Sequence, residues 1–164
     1  MRSKGFEGMA CSVASVMGAI GDRWGVLIMR DLLLGLKRFD DLKKSTEITN
    51  ATLSDRLKSL ERNGLIERRK YDARRERYEY VPTTKGRDLA LVIQAMVQIG
   101  DKWNLEELEG PPLRFVDGTS GRGLKLAYVD AETGKPVKEP RMKAEAGRGA
   151  DILMQWRLAQ AQGR

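Results

Sequence analysis

The sequence predicts a mainly α-helical chain with one small β-ribbon and a small α+β extension, and three observations predict it. The stretch from Thr49 to Gly64 reads as one complete helix, with a start, an apolar face and a stop. The apolar period then changes from helical to alternating across residues 65–81. After Pro82 the helical period returns in a long apolar seam that runs to about Leu105.

Residues 1–10 are polar and glycine-containing and show no period. From Cys11 to Ile20, the positions Val13, Val16, Met17 and Ile20 recur at helical spacing and predict a first helix. Gly21-Asp22 interrupts it, and Asp22 can cap a second helix over residues 24–34, ended by Gly35. That helix is so dense in apolar residues that it reads as the central core helix. A short third helix runs from Phe39 to Ser45, with Phe39 and Leu42 turned inward. After the loop at 46–48, Thr49 or Asn50 caps the next helix. Leu53, Leu57 and Leu60 lie on one buried stripe, and Asn63-Gly64 ends it, with Gly64 able to take the left-handed conformation.

The opposite face of that helix carries Ala51, Asp55, Lys58 and Arg62, flanked by Thr52, Ser54 and Ser59. Small and polar residues fill its first turn and basic ones follow. Taken alone, it matches an ordinary amphipathic surface helix. Its neighbours change that weighting: a short helix, a tight connection and a second helix with a small polar tip make a helix-turn-helix pattern. A helix entering a DNA groove needs no bulk at its tip, hydrogen-bonding groups there, and cations near phosphates.

Residues 65–69 and 77–81 read as two strands, and the segment between them holds Arg74 and Arg75. A basic-tipped ribbon directly after a helix-turn-helix is a wing, placed where its arginines reach an adjacent minor groove or its phosphates. A plain surface hairpin with solvated charge is the competing reading.

Thr83 or Thr84 caps the long helix that follows. Leu89, Val92, Met96, Ile99 and Trp103 are spaced 3-4-3-4, and Leu91, Ile93, Ala95 and Val97 widen the apolar face. A seam of this kind predicts helix–helix association, hence a homodimer built on this dimerisation helix with help from the first. The alternative is that the C-terminal segment covers the seam within one chain. Residues 124–129 and 135–137 read as short strands around a turn, and Asp151 can cap a terminal helix. The expected organisation is a unit over residues 9–105 and an extension over 113–164 that packs on the dimerisation helix, its role not legible.

Totals narrow the function. The 164 residues carry a formal charge of +7, and the segment from Arg56 to Arg87 alone holds eleven cations against five anions. That concentration points to a polyanionic partner. Cys11 is the only cysteine and there is no histidine, so an intramolecular disulfide, a zinc site and a histidine-dependent triad are not expected, nor is any cofactor. No apolar run approaches the roughly 18 residues of a membrane span, and no signal peptide is visible, which predicts a cytoplasmic protein without a membrane partner. Paired carboxylates at Asp40-Asp41 and Glu106-Glu107 are explained by exposed helix-end charge, so an enzyme is not expected.

By residue order and motif, the chain resembles the HxlR family of bacterial winged-helix regulators, relatives of the MarR group. The resemblance covers roughly residues 9–105 and rests on the early Cys11, GDRW at 21–24, RFDDL at 38–42, LSDRL at 53–57 and TTKG at 83–86. It implies a homodimeric winged helix-turn-helix protein that binds double-stranded operator DNA and regulates transcription. Carried over residue by residue, it implies groove-facing positions at Asn50, Ala51, Thr52, Ser54, Asp55 and Arg56. Arg38, Arg74, Arg75 and Arg77 become phosphate or minor-groove candidates, with Lys58 on the same basic face. Arg56 sits only partway round from the leucine stripe, and could reach a phosphate or anchor Asp55 or a carboxylate of the third helix. Some members use a cysteine at the position of Cys11 as a redox sensor; a small buried thiol beneath the dimerisation helix is the competing reading. An unidentified small-molecule effector fits a cavity between the dimerisation helix and the core. A winged helix serving protein interaction or RNA binding is the alternative function. Such modules often lack the basic wing and polar tip found here.

Overall fold

The structure, a computed structural model, describes residues 6, 8–72 and 77–162. The elements in chain order are α1 (Ser12–Ile20), α2 (Arg23–Leu34), α3 (Phe39–Thr46), α4 (Asn50–Arg62), β1 (Ile66–Asp72), β2 (Arg77–Pro82), α5 (Thr84–Arg87), α6 (Leu89–Trp103) and α7 (Ile152–Gln162). No helix among the described residues is long and apolar enough to cross a membrane.

The helix ends are set by local chemistry. Asp22 Oδ1 accepts from Trp24 N (3.0 Å) and Gly25 N (3.1 Å) and starts α2. Gly35 closes it in the left-handed region at φ 103°. Thr49, rather than Asn50, caps α4, its Oγ1 accepting from Thr52 N at 3.2 Å. After α4, Gly64 takes φ 70°, as its place in the sequence predicts.

One core gathers these elements. Ile28, Met29 and Leu32 of α2 pack with Leu42 of α3, Leu53, Leu57 and Leu60 of α4, Leu65 and Ile66 at the start of the ribbon, and Leu89 and Ile93 of α6. The two strands pair antiparallel, with the register slipping between Lys70 and Asp72, so β1 runs three residues beyond the expected Arg69. The ribbon is tied back to the helices where Tyr80 N donates to Lys37 O (2.8 Å).

The expected long helix is two. Asp88 interrupts it, and the backbone bonds on either side, Asp88 N to Thr84 O and Leu91 N to Asp88 O, stretch to 3.3 Å. The cause is upstream. Gly86 packs so tightly on the ribbon that a Cβ there would lie 1.9 Å from Leu65 O. Thr83 Oγ1 donates to Gly64 O (2.6 Å) and accepts from Gly86 N (3.1 Å), and Lys85 Nζ donates to Asn63 O (2.9 Å). The short α5 is thus pinned to the end of α4 before α6 departs.

The expected dimer seam changes at one position. Leu89 is only 7% exposed and belongs to the chain's own core, so it is not free for a second copy. Val13, Val16 and Met17 of α1, by contrast, are exposed, while Ala14 and Ile20 face inward. The spacing identified the helix but not which of its faces the chain itself buries.

The extension holds less regular structure than its sequence suggests. The strands expected at 124–129 and 135–137 reduce to a single bridge, Val129 with Pro136, beside a second bridge, Val116 with Gly123. Two aspartate-closed turns organise it. Asp117 accepts from Ser120 N and Oγ (both 2.6 Å), and Asp130 from Thr133 N and Oγ1 (both 2.8 Å). These bonds hold both carboxyls below the usual aspartate range. The extension does pack on α6: Gln98 brackets Leu126, donating to its O (3.1 Å) and accepting from its N (2.9 Å). It covers the flank with Gln94 and Val97, and leaves Leu91, Val92, Met96, Ile99 and Trp103 exposed.

Candidate nucleic-acid interface

The interface is built by a helix pair and a ribbon that share one core. Glu47 closes α3 in the left-handed region at φ 56°, Ile48 is buried, and α4 follows at once. With Leu53, Leu57 and Leu60 buried, the start of α4 projects outward. Asn50, Ala51, Asp55 and Lys58 are exposed, and Thr52, Ser54 and Arg56 are half-buried. The Thr49 and Thr52 hydroxyls lie 2.9 Å apart, so Thr52 is oriented at the tip. The first turn, from Asn50 to Thr52, is polar, short-chained and free of apolar bulk, as groove entry requires.

Arg56 has a different partner from those weighed for it. Its Nε lies 2.9 Å from Asp22 Oδ2, an ion pair across α4 and the start of α2, with both side chains about one third exposed. Neither Asp55 nor an α3 carboxylate takes part. The two oxygens of Asp22 therefore serve two purposes: one caps α2 and the other holds α4. Asn63, at the other end of α4, donates to Ala19 O (2.8 Å) and holds that end against α1.

Two arginines stack on aromatic rings of the wing. The Arg38 guanidinium lies over the Tyr71 ring at 5.1 Å, and that of Arg68 over Tyr78 at 4.3 Å. Arg38 precedes α3 in sequence, yet the fold places it beside β1, and the contact joins the helix pair to the ribbon. Arg77, Arg69 and Lys70 are exposed. Arg74 and Arg75 lie outside the described residues. Arg68 and the two tyrosines were missed by sequence reasoning; the cross-strand pairing of Lys70 with Tyr78 and Arg68 with Tyr80 was the available signal. Tyr80 is half-buried at the root of the wing, and burial pushes its phenol above the usual value, against a smaller opposing pull from Arg68.

Cys11 is half-buried immediately before α1, neither fully sequestered nor open. Arg2 and Lys4, the nearby cations in sequence, lie outside the described residues.

Comparison with known proteins agrees with this geometry. The model of the HxlR-like helix-turn-helix family matches residues 19–108. An HTH-type transcriptional regulator of Mycobacterium tuberculosis, Rv3095, is 40% identical over 116 residues, which cover 71% of this chain and 72% of the relative. Among solved structures, PA1374, a candidate transcription factor of Pseudomonas aeruginosa, is 37% identical with a TM-score of 0.59, over 90% of this chain and 100% of that one. The redox regulator HypR in its reduced form is 28% identical with a TM-score of 0.53, over 60% of this chain and 98% of that one. The matched segment runs from the end of α1 through α6, and so contains the recognition helix, the wing and their shared core. The chain belongs to the HxlR-like helix-turn-helix family of DNA-binding transcriptional regulators.

Proposed function

We propose that this protein is a homodimeric, sequence-specific operator binder in which residues 9–105 form the DNA-binding and dimerisation unit and 113–164 an appended extension. The observation that carries the reading is the exposed polar tip of α4 beside a basic ribbon on which Arg68 stacks over Tyr78 and Arg38 over Tyr71. Asn50, Ala51, Thr52, Ser54 and Asp55 face base edges in the major groove. Arg38, Lys58, Arg74, Arg75 and Arg77 contact phosphates or the adjacent minor groove, and Arg56 acts chiefly by holding α4 against Asp22.

The homodimer reading is supported by the exposed stripes of α1 and α6, with Trp103 65% exposed. Two such stripes on one monomer are a surface that water disfavours and a second copy would cover. Two-fold symmetry then places two α4 helices about one DNA turn (roughly 10 bp) apart, or a multiple of it.

The deciding experiment selects genomic fragments with the purified protein and titrates the best site by fluorescence anisotropy at two salt concentrations. A palindromic site and a steep loss of affinity with salt are expected. Arg74→Ala with Arg75→Ala should weaken all sequences alike and flatten the salt slope by about 4, two contacts from each protomer. Thr52→Ala or Asp55→Ala should instead change which bases are preferred. Tight binding to structured RNA with none to duplex DNA would overturn the reading.

Two further roles rest on it. Cys11, half-buried beside the exposed face of α1, occupies a place from which oxidation would disturb the dimer, and HypR is a redox regulator of similar fold. Titrating reduced and oxidised protein side by side tests this. An effector has a candidate seat of about 250 Å³ between α2 and α6, lined by Arg30, Leu33, Ala90 and Ile93 and closed by Leu113 and Phe115 of the extension.

A further inference from the structure

The extension ends in a helix that its own chain leaves half-covered. One face of α7, with Met154, Arg157 and Leu158, is half-buried, and Leu158 lies beside the preceding segment at 143–146. The other carries Ile152, Leu153 and Trp156, and all three are exposed, Ile152 by 86% and Trp156 by 58%. Three apolar side chains at i, i+1 and i+4 on a helix form one continuous patch. A short C-terminal helix does not keep such a patch in water without something to cover it.

A matching surface stands open at the far end of α6. There the chain turns at Asn104, φ 43°, and doubles back, leaving an apolar groove of about 500 Å³. Val97, Leu105 and Leu108 line it, and Asp101, Glu106 and Glu109 stand along its edge. Charge separates the two surfaces cleanly. Residues 101–109 hold four acids and one base, a net −3, whereas residues 135–164 hold seven bases and three acids, a net +4. Met96, Ile99 and Trp103, on the neighbouring stripe of α6, are the exposed face assigned above to a second copy.

We propose that the groove at the end of α6 receives the C-terminal arm of a second copy of this chain, the Ile152–Leu153–Trp156 face of α7 entering it and the cations of the arm meeting its acidic edge. The inference rests on the homodimer reading and adds an occupant and a direction to it. Exchange is reciprocal: each copy has one groove and one arm, so two copies close the arrangement with nothing left over. Arm and groove are joined in one chain by the segment after Pro112, and each remains uncovered there, so the complementary partner is the other copy.

Thiol trapping tests this in the full chain, with Cys11→Ser removing the native thiol. One version carries Ala159→Cys, on the face of Ile152 and Trp156, and a differently tagged version carries Gly110→Cys, where an added Cβ meets nothing within 4 Å, so the core and the docking side chains are left intact. Mixed and mildly oxidised, they should give a disulfide-linked pair of unlike chains. Docking raises the local concentration of the two thiols to about mM. The linked pair should therefore form about tenfold faster than in a version in which Glu106→Arg and Glu109→Arg reverse the groove edge. Adding Arg141→Glu and Arg157→Glu to the arm version should restore the rate. Sedimentation of the same samples separates the possible failures. A dimer that gives no unlike pair overturns the arm exchange and leaves the homodimer standing. A chain that sediments as a monomer overturns both. A version carrying both cysteines that closes the disulfide within one chain shows the groove taking its own arm, which also overturns the exchange.

Discussion

Asp22 shows how much one side chain settles. It starts α2 through two backbone N–H groups and pairs with Arg56 of α4. Asp22→Ala should cost about 1–2 kcal/mol in urea unfolding, most of it the lost cap. Asp22→Ser should keep the cap and recover most of that, while still releasing Arg56 and loosening DNA binding. A second ionic contact has a different balance. Asp31 is 2% exposed; its Oδ1 takes both Arg30 Nε (2.8 Å) and Nη2 (2.7 Å), and its Oδ2 has no hydrogen bond among the described residues. Arg30→Ala strands a buried carboxylate and should cost about 3 kcal/mol. Asp31→Leu leaves a partly exposed arginine that water can serve, and should cost much less. Tyr80 gives a pH signature. Its phenol titrates higher in the folded than in the unfolded chain because burial disfavours the charged form. That stability is fully present below the unfolded value near 10 and is lost as pH rises through the folded value. Thermal melts from pH 8 to 11 should fall more steeply for the wild type than for Tyr80→Phe.

At the scale of the element, the joint between ribbon and α5 is the most constrained place in the fold. Gly86→Ala sets a methyl against Leu65 O and should destabilise by about 2–3 kcal/mol in denaturant titration, with wing-dependent DNA affinity falling alongside. Sequence disclosed the elements whose ends are decided locally. The Asp22 cap, Gly35, Thr49 and Gly64 each act within a few residues, so a window of sequence contains the whole interaction. It disclosed less where the deciding neighbour is remote. Leu89 belongs to the same 3-4-3-4 seam as Val92 and Met96, and periodicity does not say whether the neighbour is this chain's core or another copy. Arg56 finds Asp22 thirty-four positions away, and Arg38 finds Tyr71 across the ribbon. The extension was hardest to read because its order comes from two side-chain turns and single bridges, which leave only a faint alternation.

At the scale of the molecule, the core closes before the extension begins, and among the described residues only Phe115 beyond α6 packs against it. A chain ending at residue 118 should therefore melt in one cooperative step and retain salt-dependent DNA binding, measured by calorimetry and anisotropy. The solved relative PA1374 spans nine tenths of this chain, so the extension is a shared part of that architecture. The pinned joint at Thr83, Lys85 and Gly86 has a mechanical meaning for this whole. The strand leaving the wing and the helix bearing the exposed seam meet there with almost no slack. On the proposed function, a tilt of α6 would reach the wing through that joint as a change of pitch against α4, so the handle of the device would be the exposed seam itself.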